Sequence, residues 1–347
     1  PWLRQLRAAP SVPIALGLAT FFTAACLSLM PRIVDHASDE DLFDRLTSTD
    51  AAQRNLAVRQ TNRIGVSPSG DLIDQVRIHA AELIDELRER SRPVMTEQRF
   101  VIDSPRFDVT SYPDEDRGPF PTTLEFRHQE DIEDHLTLID GEMPVDQPAR
   151  PLLRGRDCPT DVPAEQYRGE PEDADEDYVC DVVIAPVFDV LLTATTAETM
   201  RLEVGDEVIL FPDSRDGLWQ QGVGQQFGRR YIVRLAGIVE LSDPNLEYWF
   251  DDDDAHHPRV TEAPPPGGTT FIDATGLLLT EQYVDFLRAT VSVPLTFTWR
   301  YTAGVDRITS DEAGTLADDV DLFAPRSALV ITRLPELLRD HLEQRAL

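Results

Sequence analysis

Apolar side chains follow three patterns along this chain, and each predicts a different kind of element. Residues 12–30, VPIALGLATFFTAACLSLM, run for 19 positions without a charge. At 1.5 Å per residue a helix of that length spans roughly 28 Å, close to the ~30 Å hydrocarbon core of a bilayer. In residues 71–90 apolar side chains recur at helical spacing, at Ile73, Val76, Ala80, Leu83, Ile84 and Leu87, with acids and arginines between them. That spacing predicts an amphipathic helix with one face in a core. Elsewhere the apolar positions alternate or gather in short runs punctuated by Gly, Pro and Asp, which predicts strands and turns.

Strands are expected over residues 55–63, 98–102, 123–127, 135–139, 179–190, 207–211, 230–240, 270–279 and 293–301, with the 207–211 and 230–240 strands paired. Helices are expected over residues 194–202, 281–289 and 311–322, and a leucine-marked one over 334–347. Residues 33–46 keep helical spacing and read as a stalk continuing the apolar run past Pro31. Gly205 and Asp206 are expected to form a structural turn before the 207–211 strand. Glycine takes positive φ there without a Cβ clash, and the aspartate can accept bonds from nearby amides. The fold class is therefore α+β: one transmembrane helix with its stalk, then a mixed α/β extracytoplasmic domain of two subdomains. Residues 1–11 are assigned to the cytoplasm, 12–30 to the membrane and 31–50 to the stalk. Residues 51–143 with 270–333 form the first subdomain, 144–269 the second, mostly β, and 334–347 a returning stalk helix.

The flanks of the apolar run set its orientation. Arg4 and Arg7 precede it with no acid among the first ten residues, while Asp35, Asp39, Glu40 and Asp41 follow it. The basic side stays in the cytoplasm, which leaves the domain outside a cell membrane. Two other readings of the run stay open. One is a cleaved signal peptide, although no A-x-A-like site precedes a polar start. The other is a lipoprotein signal with Thr23-Ala24-Ala25-Cys26 as its box.

The chain has 347 residues, a net charge of −31 and 41% hydrophobic residues. That is apolar enough for a real core and far too acidic for a nucleic-acid partner. The charge also favours holding the domain away from anionic headgroups. All 32 basic residues are arginine. Of the three cysteines, Cys26 lies in the apolar run and reads as a small apolar residue. Cys158 and Cys180 bracket an acidic segment, and in an oxidising compartment they are candidates for a disulfide closing it.

Several stretches together resemble the FtsX-like permeases of ABC transporters, with their MacB-type periplasmic core domain. The resemblance spans nearly the whole chain and rests on the order of its parts. LRQLRAAP leads into the apolar helix and a charged stalk. Gly141-Glu142-Met143-Pro144 follows a strand. A short alanine-containing helix leads into LEVGDEVIL at residues 202–210. AGIVELSDPNLEYW occupies residues 236–249, and TWRY is followed by DEAGTL. The resemblance implies a non-catalytic permease part that works with a cytoplasmic ABC ATPase subunit, in a permease dimer. It also implies further membrane helices beyond Leu347. The alternative from another class is a single-pass, membrane-anchored extracellular binding module.

Enzyme signatures are absent from the sequence: no G-x-x-x-x-G-K-[ST], no H-E-x-x-H and no G-x-S-x-G. The glycine-rich residues 217–228 read as a hairpin loop rather than a phosphate cradle. Asp251-Asp252-Asp253-Asp254-Ala255-His256-His257 offers metal-ligand atoms, but consecutive residues cannot all face one ion, so it is expected to be a solvated loop. No catalytic, cofactor-binding or metal residue is assigned, and no cofactor is expected. Tyr248, Trp249 and Phe250 are expected to plug the core.

Overall fold

The computed structural model describes residues 11–63, 72–89, 91–111, 121–154, 181–213, 230–242, 247–262, 269–290, 293–323 and 329–345. The chain is mixed α/β. It begins with one long helix, α1 (Ser11–Ser48), unbroken across Pro31. One part of α1 is long and apolar enough to cross a membrane, and that window is not buried against the rest of the protein. Phe21, Phe22, Leu27 and Met30 are all exposed.

The far end of the same helix is docked. Leu42 and Leu46 are fully buried. The Asp39 carboxylate accepts the backbone N–H of Ser310 at 2.8 Å. Ser38 Oγ lies 3.2 Å from His341 Nε2, and Asp41 stands 3.2 Å from the other nitrogen of that ring. These contacts fasten α1 to α7 (Ser310–Asp321) and α8 (Leu334–Arg345). A single turn of helix, α2 (Ala51–Arg54), then leads into β1 (Leu56–Arg63).

Among the described residues, twelve strands join in one sheet and two more form a separate ribbon. Part of the sheet closes on itself. Its ring follows β3 (Phe107–Ser111), β4 (Thr122–Gln129), β12 (Thr270–Leu277), β8 (Val187–Thr193), β10 (Tyr231–Leu241) and β9 (Glu207–Pro212), and β9 pairs back onto β3. Strand β12 is the closing piece: it runs parallel to β4 and touches β8 at Leu277↔Leu191. Phe107, Phe126, Phe188 and Tyr231, from four ring strands, all pack together and reach Phe286, directly or through one another. Side chains from four strands of a closed ring can meet only inside it. Phe286 belongs to α6 (Thr280–Ala289), which therefore plugs the ring.

From β4 the sheet continues as an open wing through β2 (Met95–Asp103), β13 (Pro294–Ala303), β1 and β14 (Leu329–Ile331). Alternation along these strands sorts the two faces. Phe100, Ile102, Phe297, Trp299, Tyr301 and Val58 form one face, buried under α3 (Leu72–Asp85). Trp299 Nε1 donates to the Val76 carbonyl at 3.1 Å and the Tyr301 hydroxyl to that of Ala80 at 2.7 Å, so both aromatic rings are tied to α3. Arg59, Asp103, Thr296, Thr298 and Arg300 form the opposite face.

The apolar stripe read in residues 71–90 is the buried face of α3, with Ile73, Val76, Ala80 and Leu83 inside, and Leu87 is buried just past the helix end. Strands β9 and β10 pair antiparallel, Ile209 opposite Ile232. Strand β5 (Leu136–Gly141) extends the same edge of β10. After residue 144, β6 (Arg150–Arg154) pairs with β7 (Asp181–Ala185) as the separate ribbon. The sheet runs continuously through strands from residues 51–143, 144–269 and 270–333.

Candidate functional site

The polar face of the wing and the outer face of the ring share one charged cleft. Strand β4 shows how the sequence builds it. Leu124 and Phe126 point into the ring, so Thr123, Glu125 and Arg127 point outward. Strand β12 lies in parallel register beside it, Asp273 next to Thr123 and Thr275 next to Glu125. Thr123 donates to Asp273 at 2.6 Å, Arg106 stands 3.3 Å from the same carboxylate, and Thr275 donates to Glu125 at 3.3 Å. The cleft encloses about 770 Å³ and also takes in Arg59, Asp213, Asp254 and Arg259.

At its floor sits a buried ionic knot. Arg127 donates to Asp103 at 2.7 Å and to Asp252 Oδ2 at 2.9 Å. Arg300 donates to the same Asp252 oxygen at 2.6 Å and to the Trp249 carbonyl at 3.1 Å. Burial works against the Arg127 charge, but Asp103, Asp252 and Glu125 outweigh it and the pKa rises. For Arg300 burial prevails and the pKa falls. The two directions differ while the state does not, because a guanidinium starts so high that both stay charged. Burial raises the Asp252 pKa, but Arg127 and Arg300 more than offset this and hold the carboxyl below its usual range.

Asp252 reaches this position through an unusual backbone. Phe250 and Asp251 both adopt left-handed φ, 54° and 51°, a costly conformation for residues with a Cβ. Three contacts hold it. The Asp251 carboxylate accepts the Ala52 N–H at 2.9 Å, Glu247 accepts from Asn55 at 2.9 Å, and the Arg300 guanidinium lies 5.2 Å from the centre of the Phe250 ring.

Glu125 is the other perturbed group. Its removal from water and the nearby Asp103 carboxylate push it up to about 7, against the opposing pull of Arg127 and Arg106. A carboxyl that titrates near neutrality inside a cleft can exchange a proton or a charged partner at ordinary pH.

The acidic run at 251–257 is therefore not the solvated loop expected. It forms α5 (Asp253–His256), continues into β11 (Arg259–Glu262) and roofs the knot. Its residues diverge: Asp251 caps α2, Asp252 enters the knot, and Asp254 pairs with Arg259 at 2.6 Å. Among the described residues no group of three or more His, Cys, Asp or Glu side chains is placed to hold a metal ion. Tyr248, Trp249 and Phe250 are buried, and Tyr248 stacks on His135 at 3.6 Å.

The short helix α4 (Ala194–Met200) precedes the turn at Gly205 and Asp206; Gly205 has φ +90°, and its N–H donates to the Leu235 carbonyl at 2.8 Å. The Asp206 carboxylate accepts the Glu203 N–H at 2.8 Å. Neither Gly205 nor Asp206 lines the cleft. Cys158, Cys180 and the glycine-rich residues 217–228 lie outside the described residues. Cys26 is a free, exposed thiol on α1.

Sequence reasoning missed Asp103, Glu125, Arg127 and Arg300. The signal was present as a one-sided alternation: T-x-E-x-R on β4 and T-x-T-x-R on β13, each with large apolar residues between. The fold and the cleft define an acidic mixed α/β domain, with a closed ring carrying an open wing and an apolar helix leading in. Set against known protein families and curated proteins, the chain has no match in either.

Proposed function

We propose that this chain is the first membrane helix and the extracytoplasmic domain of an ABC transporter permease of the FtsX-like kind. It performs no chemistry itself. A cytoplasmic ATPase subunit supplies the energy, the permease works as a pair, and the domain relays motion or handles substrate outside the membrane. The N-terminus is cytoplasmic and the acidic domain faces outward, divided into working units along residues 51–143 with 270–333 and 144–269.

One observation carries this reading: α1 is a single helix from its exposed apolar stretch to the buried Leu42 and Leu46. A helix continuous across that boundary transmits tilt or translation as a rigid rod. Its docking partners, α7 and α8, would receive the movement first, a rigid-body shift of packed elements.

Two measurements test the proposal. An epitope placed after Leu347 should be stripped by protease from cells whose outer envelope has been removed and whose cytoplasmic membrane is intact; protection until that membrane is lysed overturns the orientation. In the intact transporter, Ser38→Cys and His341→Cys in a Cys26→Ser background, bridged by a short cross-linker, should abolish ATP-driven transport. Unchanged transport overturns the relay. A second reading, an anchored binding module, is favoured by the 770 Å³ cleft. Capture of the ATPase with the chain from native membranes separates the two.

A further inference from the structure

We propose that the cleft on the polar face of the sheet binds a short hydrophilic zwitterion, with an ammonium group on Glu125 and a carboxylate on Arg59. The volume, about 770 Å³, lies in the range of small-molecule sites. The lining is nearly all charged or hydroxylic, with Pro121 and Phe271 as its apolar members. That composition selects against an apolar ligand.

The ligand's charges follow from what the cleft leaves over. Most of its ions are already matched: Arg106 with Asp273, Arg127 with Asp103, Arg259 with Asp254. Among the described residues, Arg59 and Glu125, both lining the cleft, stand in no ion pair of their own. The Arg59 guanidinium makes one contact, Nε to the Thr298 hydroxyl at 3.4 Å, and is otherwise exposed. Glu125 receives only the Thr275 hydroxyl, at 3.3 Å. The charges surrounding Glu125 are Asp103, Asp254, Arg106 and Arg127, each held in an ion pair elsewhere. A cation placed on Glu125 would restore the stabilisation that burial removes. An anion placed on Arg59 would gain a two-pronged contact from a guanidinium. A purely cationic ligand leaves Arg59 unmatched, and a neutral sugar leaves both.

Register gives the spacing. Arg59 is level with Thr298, Val101 and Gln129 across the wing. Three strand spacings make about 14 Å, and the four residues from Gln129 to Glu125 make about 13 Å. The diagonal is about 19 Å between backbones, a span that a long arginine and a glutamate side chain leaning inward would shorten. An extended tripeptide to pentapeptide covers ~10–17 Å, so a short peptide with free termini fits.

The proposal does not rest on the transporter reading, because binding is read on the chain alone. Titration calorimetry on the full chain in detergent micelles at pH 7.5 would use triglycine, tetraglycine and pentaglycine, each free, N-acetylated or C-amidated. At least one free peptide should bind, and capping either end should weaken it tenfold or more. Glu125→Gln should erase the effect of acetylation but keep that of amidation; Arg59→Gln should do the reverse. The capped and free peptides are compared on the unaltered chain, so a variant that fails to fold does not decide the result. Absence of binding by every free peptide up to 10 mM (about −2.7 kcal/mol), or equal binding of capped and free forms, overturns the proposal.

Discussion

The Asp252 carboxylate and the Arg300 guanidinium meet at 2.6 Å, and the same carboxylate oxygen also receives Arg127. One anion thus bridges two arginines that lie almost wholly out of water, with side chains 7% and 6% exposed. Removing it leaves the buried Arg300 without a carboxylate partner, beside an Arg127 that keeps only Asp103. Asp252→Asn should therefore destabilise the domain by about 3–5 kcal/mol, read as a lowered midpoint in chemical denaturation. Asp254→Asn, whose pair with Arg259 is open to water, should change stability by less than about 1 kcal/mol.

Glu125 gives the domain a pH dependence. Its folded pKa, raised to about 7 from 4.5, means that the folded state binds this proton more tightly than the unfolded one. The associated stability is full below the unfolded value and is lost as pH rises through the folded one. Between pH 4.5 and 7.5 it should weaken the fold by an amount on the order of 2 kcal/mol, discounted for partial exposure. Unfolding measured at intervals over that range should show the slope in the native chain and a flatter one in Glu125→Gln.

Two glycines hold left-handed backbone for different reasons. A Cβ on Gly205 would meet nothing within 4 Å, so Gly205→Ala incurs only the conformational cost, about 1 kcal/mol. A Cβ on Gly141, at φ +84°, would run into the Ala236 carbonyl oxygen. Gly141→Ala should cost several times more and pull β5 off β10. Thermal melts of the two variants should rank them in that order.

The docked end of α1 should be energetically distinct from its exposed end. Leu46→Ala removes a fully buried side chain and should cost about 2–5 kcal/mol. Leu27→Ala, 72% exposed on the same helix, should leave domain unfolding within about 0.5 kcal/mol. Comparable losses for both would mean that α1 does not pack as described.

By itself the sequence determined the elements whose signal is local. The uncharged run of residues 12–30, the 3.6-residue stripe of α3 and the φ requirement at Gly205 each depend on neighbours a few positions away. Tertiary structure decided which polar residues matter. Asp252 looked like one solvated acid among four because its partners lie 48 and 125 positions away, and no periodicity links them. The closure of the ring by β12 was hidden for the same reason: parallel pairing with β4 joins residues about 150 positions apart. Water around an extended chain makes every charge nearly equivalent, and only burial between strands separates a structural ion from a responsive one.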